Sequence, residues 1–210
     1  MTGRPVLMCH RGASALAPEN SLEAFRVAMQ YGMDFSELDV FVNGDGELVV
    51  THDPPAQHAL PRLQDVFDLV RGRMGLYVEL KGPRTGTALG ALTRAGVELI
   101  SGSFNLELVE ELRQAAPDIP RSILFGTQWQ GRPEAMLQAC RELEVSYAHP
   151  CFRPIEPTLI GAFHDAGLRV MTPHTNDAVE GRYFAAIGVD VIASDDPRIL
   201  TPLQVLTGRD

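Results

Sequence analysis

Apolar residues recur along the chain in short, β-rich runs, and most runs are followed by a stretch with helical periodicity. The runs predict strands at 5–9, 35–42, 47–51, 75–80, 97–101, 121–125, 145–148, 169–172 and 190–193. The periodic stretches predict helices at 20–31, 63–71, 86–95, 105–115, 133–143, 157–166 and 177–187. Repeated strand–helix units with buried strands are typical of a parallel sheet.

The third run is an exception to this alternation. The tight-turn sequence Asn43–Gly46 separates it from the second run and leaves no room for a crossover helix. The third strand must therefore return antiparallel to the second. Pairing Val42 with Glu47 across the turn would place Glu37 opposite His52 in the ladder.

Without the returning strand, eight predicted parallel strands remain, and eight strands close a (β/α)8 barrel. The predicted fold class is therefore an α/β TIM barrel with a short β-hairpin extension, built by residues 1–210 as one domain. A doubly wound open sheet is the competing architecture. The glycine-rich phosphate-binding fingerprint that such a sheet requires after its first strand is missing from the sequence at His10–Ser14.

Composition narrows the range of partners and compartments. The chain has 18 Lys and Arg against 27 Asp and Glu, a net charge of −9, which disfavours binding to nucleic-acid phosphates. With 45% hydrophobic and 21% charged residues, neither a disordered chain nor an integral membrane protein is expected. Three cysteines without C-x-x-C spacing, and no signal-peptide core before His10, predict a cytoplasmic protein.

Polar side chains gather at the carboxyl ends of the first four predicted strands. They are His10, Arg11, Glu37, Asp39, His52, Glu79 and Lys81. Each of these residues alone would more often have a structural role. Active sites of barrels lie at the carboxyl ends of the strands, and residues two apart on a strand share a face. The set is therefore expected to converge on one site.

The residue types indicate the chemistry of that site. Glu37, Asp39 and Glu79 are oxygen ligands that favour one divalent cation, Mg²⁺, Ca²⁺ or Mn²⁺, over zinc. Arg11 and Lys81 supply positive charge for an anionic substrate, most naturally a phosphate. Two histidines, His10 and His52, form an acid and base pair near neutral pH. Together these groups predict cleavage of a phosphodiester.

The sequence resembles the glycerophosphodiester phosphodiesterase family over nearly its whole length. The matching motifs are His10-Arg11-Gly12, Pro18-Glu19-Asn20-Ser21, Glu37-Leu38-Asp39-Val40, Asp45-Gly46, Val49-Val50-Thr51-His52-Asp53, Glu79-Leu80-Lys81, Ser103-Phe104, Gly188-Val189-Asp190 and Ser194-Asp195-Asp196-Pro197. The resemblance implies a (β/α)8 barrel that hydrolyses glycerophosphodiesters to sn-glycerol 3-phosphate and an alcohol with a divalent metal. It also implies that Glu37, Asp39 and Glu79 bind the metal, that His10 and His52 are acid and base, and that Arg11 and Lys81 contact phosphate.

Two features depart from the family pattern and leave the leaving alcohol open. Only a short segment joins His52 to Glu79, where many members carry an insertion, and Pro173 stands at the usual place of a tryptophan. His149 and His174 follow the seventh and eighth predicted strands and are secondary candidates for substrate contact. The sequence does not distinguish which of the two catalytic histidines is the base, nor direct attack by water from a cyclic phosphate intermediate.

Two alternative functions remain open at this point. A lysophospholipase D-like enzyme would act on a lipid phosphodiester, and the missing insertion is compatible with the wider mouth that it needs. The lack of a clear membrane-surface helix in the sequence counts against it. A non-catalytic barrel that binds a phosphate metabolite would explain the metal ligands but not the pair of histidines.

Overall fold

Eight parallel strands surround a common axis, and each strand but one leads directly into a helix. The structure is a computed structural model that describes residues 4–55 and 59–204. Its strands are β1 (Val6–Cys9), β2 (Phe35–Val42), β3 (Leu48–Val50), β4 (Gly75–Leu80), β5 (Leu99–Ser103), β6 (Arg121–Phe125), β7 (Tyr147–Pro150), β8 (Arg169–Val170) and β9 (Val191–Ser194). Its helices are α1 (Leu22–Gln30), α2 (Leu63–Val70), α3 (Thr85–Ala91), α4 (Leu106–Ala115), α5 (Pro133–Glu142), α6 (Pro157–Asp165), α7 (Ala178–Ala186) and α8 (Pro197–Gln204), with a 3₁₀ turn at Thr127–Trp129.

The parallel strands follow one another around the sheet in the order β8-β7-β6-β5-β4-β2-β1-β9. A parallel bridge between Met171 and Val191 joins the two edges. Next to this bridge, the backbone N–H of Asp190 donates a hydrogen bond to the carbonyl oxygen of Val170 at 3.0 Å. The sheet is therefore a nearly closed barrel of eight strands, and the predicted TIM barrel is confirmed.

Alternation along the strands separates two apolar layers. The barrel interior contains a cluster of Met8, Phe35, Tyr77, Ile100, Leu124, Tyr147, Met171, Val191 and Ala193. Neighbouring strand residues such as Leu7, Leu38 and Val78 belong instead to the larger core beneath the helices. Because side chains alternate between the two faces of a strand, Glu37 and Glu79 follow Phe35 and Tyr77 on the interior side. The interior is thus apolar below and polar toward the carboxyl ends.

The β2–β3 hairpin has a different register from the predicted one. Val42 pairs with Leu48 rather than with Glu47, so Glu37 does not lie opposite His52. The cause is the turn, in which the Asn43 side-chain oxygen accepts hydrogen bonds from the backbone N–H groups of Asp45 (3.0 Å) and Glu47 (2.9 Å). Asparagine readily forms such turns with its own backbone. Glu47 is therefore part of the turn and not of the ladder.

Some element boundaries also differ from the prediction. No helix was predicted after the last strand, but α8 forms there with Pro202 inside it. Leu200 and Leu203 are buried, and this packing outweighs the helix-breaking proline. Strand β7 begins at Tyr147 because the N–H of Val145 still donates to the Cys140 carbonyl at the end of α5. In the described ranges, no helix is both long enough and apolar enough to cross a bilayer.

Candidate active site

Three buried carboxylates meet at the carboxyl ends of β2 and β4. Asp39 and Glu79 are direct partners in the parallel ladder, and Glu37 precedes Asp39 by two residues on the same face. One oxygen from each of the three side chains lies within 4.8 Å of the others. Their exposed fractions are 4% for Glu37, 1% for Asp39 and 7% for Glu79. The structure therefore brings together the three predicted metal ligands.

Burial of these carboxylates makes their negative charge costly. Burial, followed by the neighbouring negative charge of Asp39, raises the pKa of Glu37 to about 8. Burial also raises the pKa of Glu79, although the positive charge of Lys81 opposes the shift. Like charges held close together in a poorly solvated site call for a compensating cation.

Two protein cations lie against the carboxylates. The Lys81 ammonium is 2.6 Å from Glu79 Oε1 and 3.1 Å from Asp39 Oδ1. The Arg11 guanidinium Nε is 3.2 Å from Asp39 Oδ2, and its Nη1 donates to both carboxylate oxygens of Glu19 at 3.1 Å. Two positive charges thus face three buried carboxylates, and one of these cations, Arg11, is shared with a fourth carboxylate, Glu19. The ionised carboxylates are therefore not fully balanced by Lys81 and Arg11.

The donor set fits a divalent cation. Glu37 Oε1 is buried and accepts no hydrogen bond from any residue in the described ranges. Its other oxygen, Oε2, accepts the backbone N–H of Arg11 at 2.8 Å. Asn20 holds Asp39 by donating from Nδ2 to Oδ2 at 3.0 Å. An oxygen-only set with a free carboxylate oxygen suits Mg²⁺, Ca²⁺ or Mn²⁺.

His10 faces the carboxylates from the end of β1. Its Nδ1 is 2.7 Å from Asp195 Oδ1, and its Nε2 is 3.9 Å from Glu37 Oε2. Burial is the largest effect on the pKa of His10 and lowers it. The hydrogen bond to Asp195 and the charges of Glu37 and Asp195 outweigh burial, so that the pKa is raised above its ordinary value. The ring is therefore anchored at Nδ1 and presents Nε2 to the site.

Asp195 organises the side of the site that lies opposite the carboxylates. Its Oδ1 also accepts a hydrogen bond from Ser14 Oγ at 3.1 Å, and its Oδ2 accepts one from Asn176 Nδ2 at 2.6 Å. Burial alone would raise the pKa of Asp195, but the hydrogen bonds from His10 and Asn176 hold it well below the usual range. Asp195 is therefore an ionised carboxylate that supports His10.

His52 reaches the same end of the barrel through the hairpin. The backbone N–H of Thr51 donates to the carbonyl oxygen of Asp39 at 3.0 Å, and His52 is the next residue. The His52 side chain is 40% exposed, and its Nδ1 lies 2.9 Å from Asp53 Oδ1. Five of the seven predicted site residues, namely Arg11, Glu37, Asp39, Glu79 and Lys81, are linked by direct polar contacts. His10 lies 3.9 Å from Glu37, and His52 makes no hydrogen bond or ion pair with the other six in the described part of the chain.

The secondary candidates have different surroundings. His149 lies within β7 and not after it, and its Nε2 is 3.0 Å from the Thr172 carbonyl oxygen. Burial lowers the pKa of His149 to about 4. His174, in contrast, is 42% exposed, and its ring stacks on that of His10. Trp129 packs edge-on against Phe125, with the ring centroids 5.2 Å apart.

Sequence reasoning assigned no role to Asp195, Asn176, Asn20 or Glu19, which the structure places around the site. The available signal was the polar sequence Ser194–Asp196 immediately after the last predicted strand. The rule used for the first four strands also applies to this strand end. Glu19 and Asn20 lie in the β1–α1 loop, and the signal for them was the family motif Pro18-Glu19-Asn20-Ser21, to which no site role was given.

Comparisons with known proteins all find similarity to phosphodiesterases. The model of the Glycerophosphoryl diester phosphodiesterase family matches residues 10–95, which contain all seven predicted site residues. A glycerophosphodiester phosphodiesterase of Caldanaerobacter subterraneus is 27% identical over 95% of this chain and 98% of the relative. A crystal structure of glycerophosphodiester phosphodiesterase from Agrobacterium tumefaciens has 27% identity and a TM-score of 0.79, over 94% of this chain and 99% of that one. An Oleispira antarctica phosphodiesterase, solved with the product sn-glycerol-3-phosphate, has 22% identity and a TM-score of 0.84, over 96% and 97%.

Proposed function

We propose that this chain is a member of the glycerophosphodiester phosphodiesterase family, and that this phosphoric diester hydrolase cleaves glycerophosphodiesters to sn-glycerol 3-phosphate and an alcohol. The observation that carries the proposal is the position of His10, whose Nε2 faces the buried carboxylates at 3.9 Å from Glu37. A histidine beside a hard-cation site is the arrangement that phosphodiester cleavage requires. The product bound to the Oleispira antarctica phosphodiesterase supports glycerol phosphate as the retained half of the substrate.

We assign the metal to Glu37, Asp39 and Glu79, which would hold one divalent cation, Mg²⁺, Ca²⁺ or Mn²⁺. When bound, such a cation acts as a Lewis acid that stabilises negative charge on a phosphoryl oxygen. Asn20 orients Asp39 through the 3.0 Å hydrogen bond to its Oδ2. Outer contacts of this kind fix the geometry of a ligand and typically matter for metal affinity.

Arg11 and Lys81 would bind the phosphate of the substrate. Lys81 engages Asp39 and Glu79, which leaves one of the three ammonium N–H groups for another acceptor. Burial lowers the pKa of Lys81, but the charges of Glu79 and Asp39 outweigh it and raise the pKa, so the side chain stays protonated. Arg11 lies between Glu19 and Asp39. Its guanidinium N–H donors are therefore close to the Lys81 ammonium, which also contacts Asp39.

His10 and His52 would move the protons. One histidine removes a proton from the attacking oxygen while this oxygen forms its bond to phosphorus. The other histidine donates a proton to the alcohol oxygen while the bond between that oxygen and phosphorus breaks. The net reaction consumes one water and returns the histidine pair to its starting charge. Asp195 fixes the Nδ1 side of His10, so that only Nε2 takes part.

Hydrolysis assays with and without metal test the proposal. The purified protein is incubated with glycerophosphocholine, glycerophosphoethanolamine, glycerophosphoglycerol or a lysophosphatidylcholine, and release of sn-glycerol 3-phosphate or of a lysophosphatidic acid is measured. EDTA should abolish turnover, and Mg²⁺, Ca²⁺ or Mn²⁺ should restore it. Turnover of the lysophospholipid alone would assign the substrate to the lipid diesters. Absence of metal-dependent turnover of every diester would contradict the proposed function.

We also propose the cytoplasm as the compartment of this enzyme. The three cysteines support it, because Cys9, Cys140 and Cys151 are all unpaired in the structure. Unpaired buried thiols are typical of proteins that remain in a reducing environment. A fractionation experiment that finds the protein outside the cytoplasm would contradict this assignment.

A further inference from the structure

The acid–base proposal makes no use of His174, although this residue covers His10. The two imidazole rings are stacked with their centroids 4.1 Å apart and their planes 10° from parallel. At this spacing the faces of the two rings are in stacking contact. His174 comes from the loop between β8 and α7, and His10 directly follows β1. Strand β9 lies between β8 and β1, so the contact is made beside the carboxyl end of β9.

Asp195 alone restrains His10 incompletely. Its carboxylate is bonded to one atom of the ring, Nδ1, at 2.7 Å. The terminal torsion of histidine has a broad energy minimum, so one hydrogen bond at the ring edge tolerates rocking of the ring plane. Rocking would swing Nε2, which lies on the far side of the ring from this anchor. A flat neighbour on the ring face opposes that motion.

His174 is itself held firmly enough to serve as that neighbour. Its carbonyl oxygen accepts a hydrogen bond from Arg153 Nη2 at 2.9 Å, and Arg153 is paired with Glu180 at 2.7 Å. The backbone N–H of the next residue, Thr175, donates to the Ala193 carbonyl at 2.8 Å. These contacts tie the loop to α7 on one side and to β9 on the other.

We propose that His174 is a positioning residue, whose ring stacks on His10 and keeps its Nε2 directed at the metal and phosphate site. The nearest carboxylate to the His174 imidazole is Asp195, with Nε2 and Oδ2 3.8 Å apart, which is too long for a hydrogen bond. Contact with the face of His10 is therefore the interaction that His174 offers to the reaction. The inference rests on the proposed function, because it assumes that His10 transfers a proton.

Four variants test this role on the full-length protein with its metal. His174→Ala removes the stacking ring, and kcat should fall about 10- to 100-fold, the usual effect of a small misplacement of a reacting group. KM for the diester and the affinity for the metal should stay within about twofold, since the proposed role of His174 is confined to its contact with His10. His174→Phe restores a flat ring without a ring nitrogen, and it should recover most of the lost kcat.

His164→Ala is the matched control. His164 is 39% exposed and lies beside a carboxylate, Asp190, as His174 at 42% lies beside Asp195, but it belongs to α6 away from the site. Its kcat should equal that of the wild type. A wild-type kcat in His174→Ala would overturn the inference. A raised KM with unchanged kcat, or a His174→Phe variant as slow as His174→Ala, would overturn it as well.

His10→Ala separates failure of the inference from failure of the proposed function. A wild-type rate in His10→Ala would contradict the proposed role of His10 itself. An inactive His10→Ala combined with a fully active His174→Ala would contradict only the positioning role. Urea unfolding of each variant shows whether a change in its kcat follows from loss of the fold. If His174→Ala has lost its fold, the comparison with the wild type is made with His174→Phe instead.

Discussion

Asp195 is the residue on which the orientation of His10 most directly depends. It bonds to Nδ1 of the ring at 2.7 Å and is in turn held by Asn176 at 2.6 Å. Because Nδ1 is committed to a carboxylate, the ring has one tautomer and one free nitrogen. A catalytic histidine supported in this way can give or take a proton only on the side of the substrate.

Replacing Asp195 by Asn should therefore impair catalysis more than substrate binding. The amide preserves the size of the side chain but removes the charge, and kcat should fall by roughly 10²-fold or more while KM changes little. Asp196→Asn is the matched control, because Asp196 is the adjacent carboxylate and pairs with Arg198 instead. Steady-state kinetics of both variants check the prediction, and equal kcat values for Asp195→Asn and Asp196→Asn would contradict it.

His149 makes a prediction about stability rather than catalysis. Burial lowers its pKa in the folded state to about 4, below the ordinary value of 6.5, so the unfolded chain binds the proton more readily. Its contribution to stability is complete above pH 6.5 and is lost as the pH falls from 6.5 toward 4. The full effect is on the order of 3 kcal/mol.

A His149→Gln variant should show a smaller loss of unfolding free energy than the wild type between pH 7 and pH 4.5. Glutamine keeps an N–H donor for the Thr172 carbonyl but does not titrate. Urea unfolding at a series of pH values measures the two slopes, and His164→Gln, at an exposed histidine, supplies the control. Parallel curves for the wild type and His149→Gln would show that His149 does not determine the acid sensitivity.

At the scale of elements, strand β5 has to accommodate the side chain of Tyr77, one of the two tyrosines in the interior cluster of the barrel. A Cβ on Gly102 would lie 2.7 Å from the Tyr77 hydroxyl and in still closer contact with Ser122 Oγ. These two groups are hydrogen-bonded to each other at 2.6 Å and are buried. Gly102 therefore leaves the space that the tyrosine ring fills.

Gly102→Ala should destabilise the fold by about 1–3 kcal/mol, the usual cost of overpacking a dense interior. Gly161→Ala in α6 is the matched control, since a Cβ there meets no atom within 4 Å. Alanine in a helix is better tolerated than glycine, so this variant should be as stable as the wild type or more so. Denaturant midpoints of the two variants test the difference, and equal stability would contradict the packing argument.

The elements also show which features sequence patterns can predict. The period of two in β2 and β4 correctly predicted that Glu37, Asp39 and Glu79 share one side of the sheet. Helix α8 was missed because its stability comes from the burial of Leu200 and Leu203 and not from local preference. The register of the hairpin depends on one asparagine side chain in the turn, which the hydrophobic pattern does not reveal.

At the scale of the whole molecule, the barrel brings distant parts of the chain into one site. His10 and Asp195 are separated by 185 residues and yet are hydrogen-bonded, because β1 lies beside β9 in the sheet. No local pattern connects two residues so far apart, so the supporting network of Asp195 could not be predicted from spacing. The proposed metal ligands lie on β2 and β4, which are neighbours in the sheet, and their proximity was therefore easier to predict.

The buried carboxylates predict a coupling between metal and global stability. A cation that binds only the folded chain stabilises it by about 2.7 kcal/mol at 100 times its Kd, which corresponds to an increase in Tm of roughly 5–10 °C. Differential scanning calorimetry should show this increase when Mg²⁺, Ca²⁺ or Mn²⁺ is added to EDTA-treated protein. The effect should be greatly reduced in Glu79→Gln and preserved in Glu98→Gln, which alters an exposed carboxylate. Equal increases in both variants would contradict the assigned ligands.

The position of β1 between β2 and β9 also sets the order in which the working site is completed during synthesis. The predicted metal ligands and both histidines that we propose to transfer protons are translated by residue 81. The partner that anchors His10 is translated more than a hundred residues later. A ribosome-bound chain that has not yet released its last strand therefore has the proposed ligands but lacks the anchor of His10, and we expect catalysis to begin only when the barrel closes.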